Sequence, residues 1–237
     1  MRPYPPWIQK AGRAVHLGNV REDNRFVAFT GFWPRGDAYW EDLGQVCKGR
    51  RIAIVWDGSQ PTAVYLFDRA PKFDLYVPEL AGGDPEPGVM IVPRSMILEK
   101  FASGFDQLRK AIAGLEERGA ASIALVGTPP PKGDPAAVRG LLTAEPYYGE
   151  MAKELGMDLD EVELTAPIIL LKIWRIIQDR YAEIAREQGI AYVTVPDQAL
   201  TGPGFLAPEY WSNDVGHANL EYGNLMRGEI ARHFGQG

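Results

Sequence analysis

The chain has 237 residues, 46% of them hydrophobic and 24% charged, proportions of a folded domain that exclude a disordered, collagen-like or low-complexity chain. With 31 acidic against 25 basic residues the formal charge is −6, which argues against nucleic acid and anionic membrane as general partners. A single cysteine, Cys47, excludes an intrachain disulfide, and three histidines (His16, His217 and His233) are too few for a multi-histidine zinc cluster. No metal and no cofactor is expected.

Residues 1–50 are punctuated by Pro3, Pro5, Pro6, Pro34 and Gly36 and carry large apolar groups such as Trp7, Phe26, Phe29, Trp33 and Trp40. They read as an irregular extension packed on a main domain over residues 51–237. Residues 1–7 lack the ~7–15-residue apolar core of a secretory signal, and no apolar run reaches the ~20 residues of a membrane span. The longest, residues 166–177, is broken by Lys172 and Arg175. The expected setting is cytoplasmic, with no membrane partner.

From residue 51 the pattern changes. Residues 51–56 form a short apolar run ended by Asp57-Gly58, the pattern of a buried strand. Residues 73–77 and 88–92, stopped by Pro78 and Pro93, predict a second and a third strand. Apolar side chains at 101, 105, 108, 112 and 115 predict a helix over 101–118, and Gly119 suits its end. Residues 121–126 predict a fourth strand, which runs into Gly127-Thr-Pro-Pro-Pro131, and a broken helical region follows over 136–155. Thr165 offers an N-cap and Pro167 a first turn for a long helix over 168–188. Residues 191–195 give the fifth strand and 218–234 the last helix. Strands alternating with helices imply right-handed crossovers and a parallel sheet covered on both faces. The expected fold is a three-layer α/β/α sandwich with a mostly parallel, flavodoxin-like sheet of about five strands, with ligands beyond the strands' carboxyl ends.

Three of those ends carry chemistry. Asp214-Val-Gly-His217 lies just before or within the first turn of the last helix. Residues three apart there share a face, and a catalytic imidazole needs a carboxylate to fix its tautomer; a plain helix cap would look the same. Trp56-Asp57-Gly58-Ser59-Gln60 follows the first predicted strand, so Ser59 stands on a tight turn whose backbone amides could receive an oxyanion; an Asp-Gly turn with a capping serine is the alternative. The three prolines after the fourth strand remove backbone donors, leaving a rigid wall or a strand terminator rather than a phosphate loop. Arg94 and Ser95 close the third predicted strand.

The order of these pieces resembles the SGNH (GDSL-type) hydrolase superfamily over residues 50–234. The resemblance rests on Asp57-Gly-Ser-Gln, on Val126-Gly-Thr-Pro-Pro-Pro, and on Asp214-x-x-His217 followed by Asn219 and Tyr222-Gly223. It implies a serine hydrolase acting on a carboxylic ester or an O-acetylated carbohydrate, with Ser59, His217 and Asp214 as the triad. Gly58, Gln60, Gly82, Gly83, Arg94 and Ser95 are the residues it offers for the oxyanion or the substrate. The chain departs from the family at two motifs. Gly-Asp-Ser is replaced by Asp57-Gly58-Ser59, so superposing the glycines would put Gln60, which cannot attack, at the nucleophile's place. Gly-x-Asn-Asp is replaced by Val92-Pro-Arg-Ser95, leaving Arg94 as the polar substitute. The same resemblance leaves two alternatives: a degenerate fold that binds a small molecule or carbohydrate without hydrolysis, and an acyltransferase with the same triad.

Overall fold

The computed structural model describes residues 2–3, 20–31, 37–143 and 145–235. Two short strands, β1 (Arg2–Pro3) and β2 (Val20–Glu22), pair antiparallel, and β2 pairs antiparallel with β3 (Val27–Gly31). Helix α1 (Asp37–Cys47) returns the chain to β4 (Arg51–Trp56), which lies parallel to β3 with Val27 opposite Ile52 and Gly31 opposite Trp56. Gly31 is fixed by that register: a Cβ there would stand 2.4 Å from the Trp56 ring. After the short α2 (Gln60–Ala63), strands β5 (Phe73–Asp74) and β6 (Met90–Ile91) pair only with each other. Helices α3 (Arg94–Lys100) and α4 (Ala102–Glu117) lead to β7 (Ser122–Val126), parallel to β4. Helices α5 (Pro135–Leu142), α6 (Pro146–Glu154) and α7 (Pro167–Glu187) lead to β8 (Ala191–Val193), parallel to β7, and α8 (Leu220–His233) follows.

The main sheet therefore has six strands in the order β1-β2-β3-β4-β7-β8. Its parallel part advances in one direction only. Right-handed crossovers that all step the same way lay their helices on the same face. Accordingly α1, α4 and α7 bury Leu43, Ile112 and Ile173, among others, against Phe29, Ile54 and Leu125. Alternate residues of the same strands, including Ala28, Ala53 and Val126, face the other way and meet Tyr222, Met226 and Ile230 of α8. The result is three layers, with three crossover helices on one side and one helix on the other. No helix among the described residues is long and apolar enough to cross a membrane.

Four expectations need correction. The predicted strands over 73–77 and 88–92 do not enter the main sheet. Asp74, in β5, turns a buried carboxylate toward Lys172 Nζ at 2.8 Å, and that charge belongs to a loop clamped on α7 rather than to a core strand. Their places are taken by β2 and β3, drawn from the 1–50 segment read as an irregular extension; residues 20–31 belong to the same sheet as the rest, and residues 37–47 to the helical layer on its face. The parallel strands consequently show no reversal of order, unlike the flavodoxin-like arrangement expected. Finally, Thr165 does not cap α7, because its hydroxyl donates to Tyr65 O and the chain enters the helix through Ala166.

Candidate active site

Strand β4 ends in two consecutive left-handed residues, Asp57 (φ 53°) and Gly58 (φ 54°). The turn is closed by Gly58 N donating to Trp56 O (2.7 Å) and Gln60 N to Asp57 O (3.1 Å). Such a conformation is easy for glycine and tolerated by aspartate. It delivers Ser59 to the foot of α2, with Pro61 in the first turn of that helix. Ser59 makes no side-chain cap bond, and its amide has no acceptor among the described residues. Both the hydroxyl and the amide are thus uncommitted. Asp57 itself lies against Gly104 of α4, where burial raises its carboxyl to about 6 despite the lowering influence of the Tyr181 hydroxyl.

The opposite side of the site is the loop before α8. That helix starts at Leu220, capped by Asn219, so residues 214–217 lie in the approach and not in the first turn. Asp214 organises them: Oδ1 accepts from Gly216 N (3.1 Å) and His217 N (2.6 Å), while Oδ2 lies 3.2 Å from His217 Nδ1. Burial works against the Asp214 charge, but the Ser212 hydroxyl, the His217 amide and the neighbouring Lys132 outweigh it, and its pKa is lowered. The imidazole is 72% exposed, which leaves Nε2 accessible.

Ser59 and this loop meet at Gly216. A Cβ on Gly216 would stand 2.6 Å from Ser59 Oγ, so the serine hydroxyl packs against the backbone of the residue next to His217. No hydrogen bond links Ser59 Oγ to His217 among the described residues. The shared recess, about 30 Å³ in volume, is walled by Pro129, Pro130, Pro131, Tyr148 and Leu170. The prolines therefore serve as a wall.

Three residues that the sequence reading did not single out hold this arrangement. Lys132 is only 4% exposed; its Nζ donates to Ser212 O (3.0 Å) and to Asp214 O. Burial lowers its pKa, opposed by the charges of Asp214 and Glu145. Glu145 Oε1 accepts from Val215 N at 2.6 Å, and buried Tyr148 closes the recess beneath. Lys132 directly follows the three prolines, the one local signal that could have marked it.

Of the residues offered for oxyanion or substrate, Gly58 shapes the turn and Gln60 is exposed at the start of α2. Gly82, Gly83, Arg94 and Ser95 do not line the recess. Gly83 spends its amide on Leu80 O (2.9 Å), and a Cβ there would stand 1.8 Å from Val77 O. Gly82 (φ 74°) neighbours Ile168. Arg94 pairs with Glu79 (2.5 Å) and donates to Tyr76 O (3.2 Å), and Ser95 is exposed in the first turn of α3. The separation of β5 and β6 from the main sheet explains this, since it takes the expected third strand end elsewhere. Compared with known proteins, the chain matches no family model and no curated sequence.

Proposed function

We propose that the protein is a serine hydrolase of esters, a divergent relative of the SGNH hydrolases, with Ser59 as nucleophile, His217 as base and Asp214 orienting the imidazole. One observation carries the reading: an uncommitted serine hydroxyl packs against Gly216, one residue from a histidine whose Nδ1 already faces a carboxylate. In the reaction, Ser59 Oγ attacks the ester carbonyl while His217 Nε2 takes its proton. The free Ser59 amide receives the developing oxyanion. His217 then returns the proton to the leaving alcohol, and water repeats the cycle to release the acid. Catalytic hydrogen bonds often tighten only when substrate is bound, so the Ser59–His217 contact forms in the loaded enzyme. Transfer to another alcohol would use the same residues.

The recess volume of about 30 Å³ is close to the room that one or two water molecules need. Only a short acyl group such as acetyl suits it, on a carboxylic ester or an O-acetylated carbohydrate. Turnover should therefore fall steeply from acetyl to butyryl esters of one activated alcohol. The decisive experiment is labelling with a fluorophosphonate, followed by mass spectrometry. An adduct on Ser59 that is lost in Ser59→Ala and His217→Ala supports the mechanism. A folded wild-type chain that stays unlabelled at Ser59 removes it and leaves a binding fold, the reading favoured by the unlinked Ser59 and His217 side chains.

A further inference from the structure

A broad cleft lies apart from the Ser59 recess and shares no lining residue with it. It measures about 780 Å³ and runs between α7, the outer edge of β8 and the loop that leaves β8, within the size range of small-molecule sites. Its floor is a locked polar network. Gln178, 6% exposed, accepts at Oε1 from Thr128 N (3.0 Å) and from the Tyr192 hydroxyl (2.9 Å), and donates from Nε2 to Thr128 Oγ1 (3.0 Å). Trp174 Nε1 donates to Thr128 O (3.0 Å). The indole has one donor, and it is spent, so Trp174 offers the cleft only apolar aromatic surface.

The rim has the opposite character. Arg175 and Asp179 form a half-exposed pair at 2.8 Å, and Asp197 stands exposed at the start of a single 3₁₀ turn in the facing loop. That loop is internally braced: Thr201 N donates to Phe205 O (2.8 Å), and Phe205 N to Thr201 Oγ1 (3.1 Å). Around the cleft, Asp179 pairs with Arg175 and Glu79 with Arg94, which leaves Asp197 as the one lining carboxylate without an ion-pair partner among the described residues. With its charges mostly paired, the cleft offers neither a phosphate nor a multiply charged cation a matching set of opposite charges. An apolar ligand would strand these polar groups without partners. The remaining chemistry is that of a neutral, polyhydroxylated ring: apolar C–H faces for the aromatics, and vicinal hydroxyls for carboxylate and guanidinium.

We propose that this cleft is a saccharide-binding site in which Trp174 and Tyr192 pack against a sugar ring while Arg175, Asp179 and Asp197 bond its hydroxyls. The proposal does not rest on the chemistry at Ser59. Because the network grips Thr128, the residue immediately before the proline wall, a bound sugar would also stiffen one side of the Ser59 recess.

The test is titration of the full chain with neutral gluco-, xylo-, manno- and galacto-oligosaccharides, read by saturation-transfer NMR and tryptophan fluorescence. Saturable binding of at least one series is expected, weakened ~10-fold or more by Trp174→Ala, as is typical for a buried aromatic anchor. Asp197→Ala, a surface change that leaves the fold intact, should weaken it several-fold, and Ser59→Ala should leave it unchanged. Absence of saturable binding to all four series overturns the proposal. So does binding that survives both cleft variants.

Discussion

A methyl group added at Gly216 would stand 2.6 Å from Ser59 Oγ and 3.1 Å from Ser59 Cβ, closer than side chains normally approach. Gly216→Ala should therefore displace Ser59 or push His217 away from it, lowering the fluorophosphonate labelling rate by ~10-fold or more, since a shift of about 1 Å in a reacting group can cost 10²-fold. The position lies in a surface loop, so the melting temperature should change little; a labelling rate equal to wild type would mean that Ser59 is not the reacting group. The Asp214–His217 relation was legible in the sequence because it is local: a spacing of three residues and a short side chain suffice. Ser59 was legible from its place at a strand end. Lys132 and Glu145 were not, because their value lies in reaching Asp214 and Val215 across sequence separations of 82 and 70 residues. No periodicity encodes such contacts. Arg94 failed for a related reason: its role depended on which strands pair, and its guanidinium is engaged by Glu79.

Strand pairing is also where the elements divide into those that composition predicts and those that it does not. Arg51–Trp56, Ser122–Val126 and the long helix α7 follow from apolar runs and helical spacing, and they lie within a few residues of expectation. The run Phe26-Val-Ala-Phe-Thr-Gly31 carries the same signal but sits among prolines and glycines, which hid β3. What decides its place is the partner strand. Ala28, Ala53, Ala124 and Ala191 stand directly opposite one another across four neighbouring strands, forming a row of small side chains on the face that α8 covers. Tyr222, Met226 and Ile230 pack against that face. Enlarging one member should therefore drive α8 outward. Ala124→Leu is expected to destabilise the fold by about 1–3 kcal/mol through overpacking, measured by urea unfolding. Ser122→Leu, at the exposed start of the same strand, should cost much less. Equal losses for the two variants would show that the alanine row does not set the helix distance.

Across the whole molecule, the first hairpin and the last helix are joined by charge. Asp23, between β2 and β3, is buried, and it binds Arg25 (2.9 Å) and Arg227 of α8 (2.5 Å). Its bond to Arg25 holds the carboxyl well below the ordinary range, with burial opposing and Arg227 adding to the effect. For Asp74 burial is the largest influence and acts upward, but the Lys172 ammonium and two backbone amides prevail and the pKa falls. Both carboxylates bind protons less tightly folded than unfolded, so their stabilisation is full above 3.8 and is lost as pH falls below it. Asp57 has the opposite sign. Burial raises it from 3.8 to about 6, so the folded state binds its proton more tightly, and that contribution is full below 3.8 and lost as pH rises through about 6. The melting temperature should consequently peak where the two limbs meet, at about pH 4, and decline on either side. On the alkaline side the loss is about 1 kcal/mol once discounted for partial exposure, or ~2–4 °C for a chain of this size. Asp57→Asn retains a side chain that tolerates the left-handed turn and has no proton to lose, so it should abolish the decline between about pH 4 and 6 while leaving the acid limb intact. Asp23→Asn should do the reverse, flattening the acid limb and lowering the melting temperature at pH 7. A melting profile that keeps its decline between about pH 4 and 6 in Asp57→Asn would place the responsible proton elsewhere.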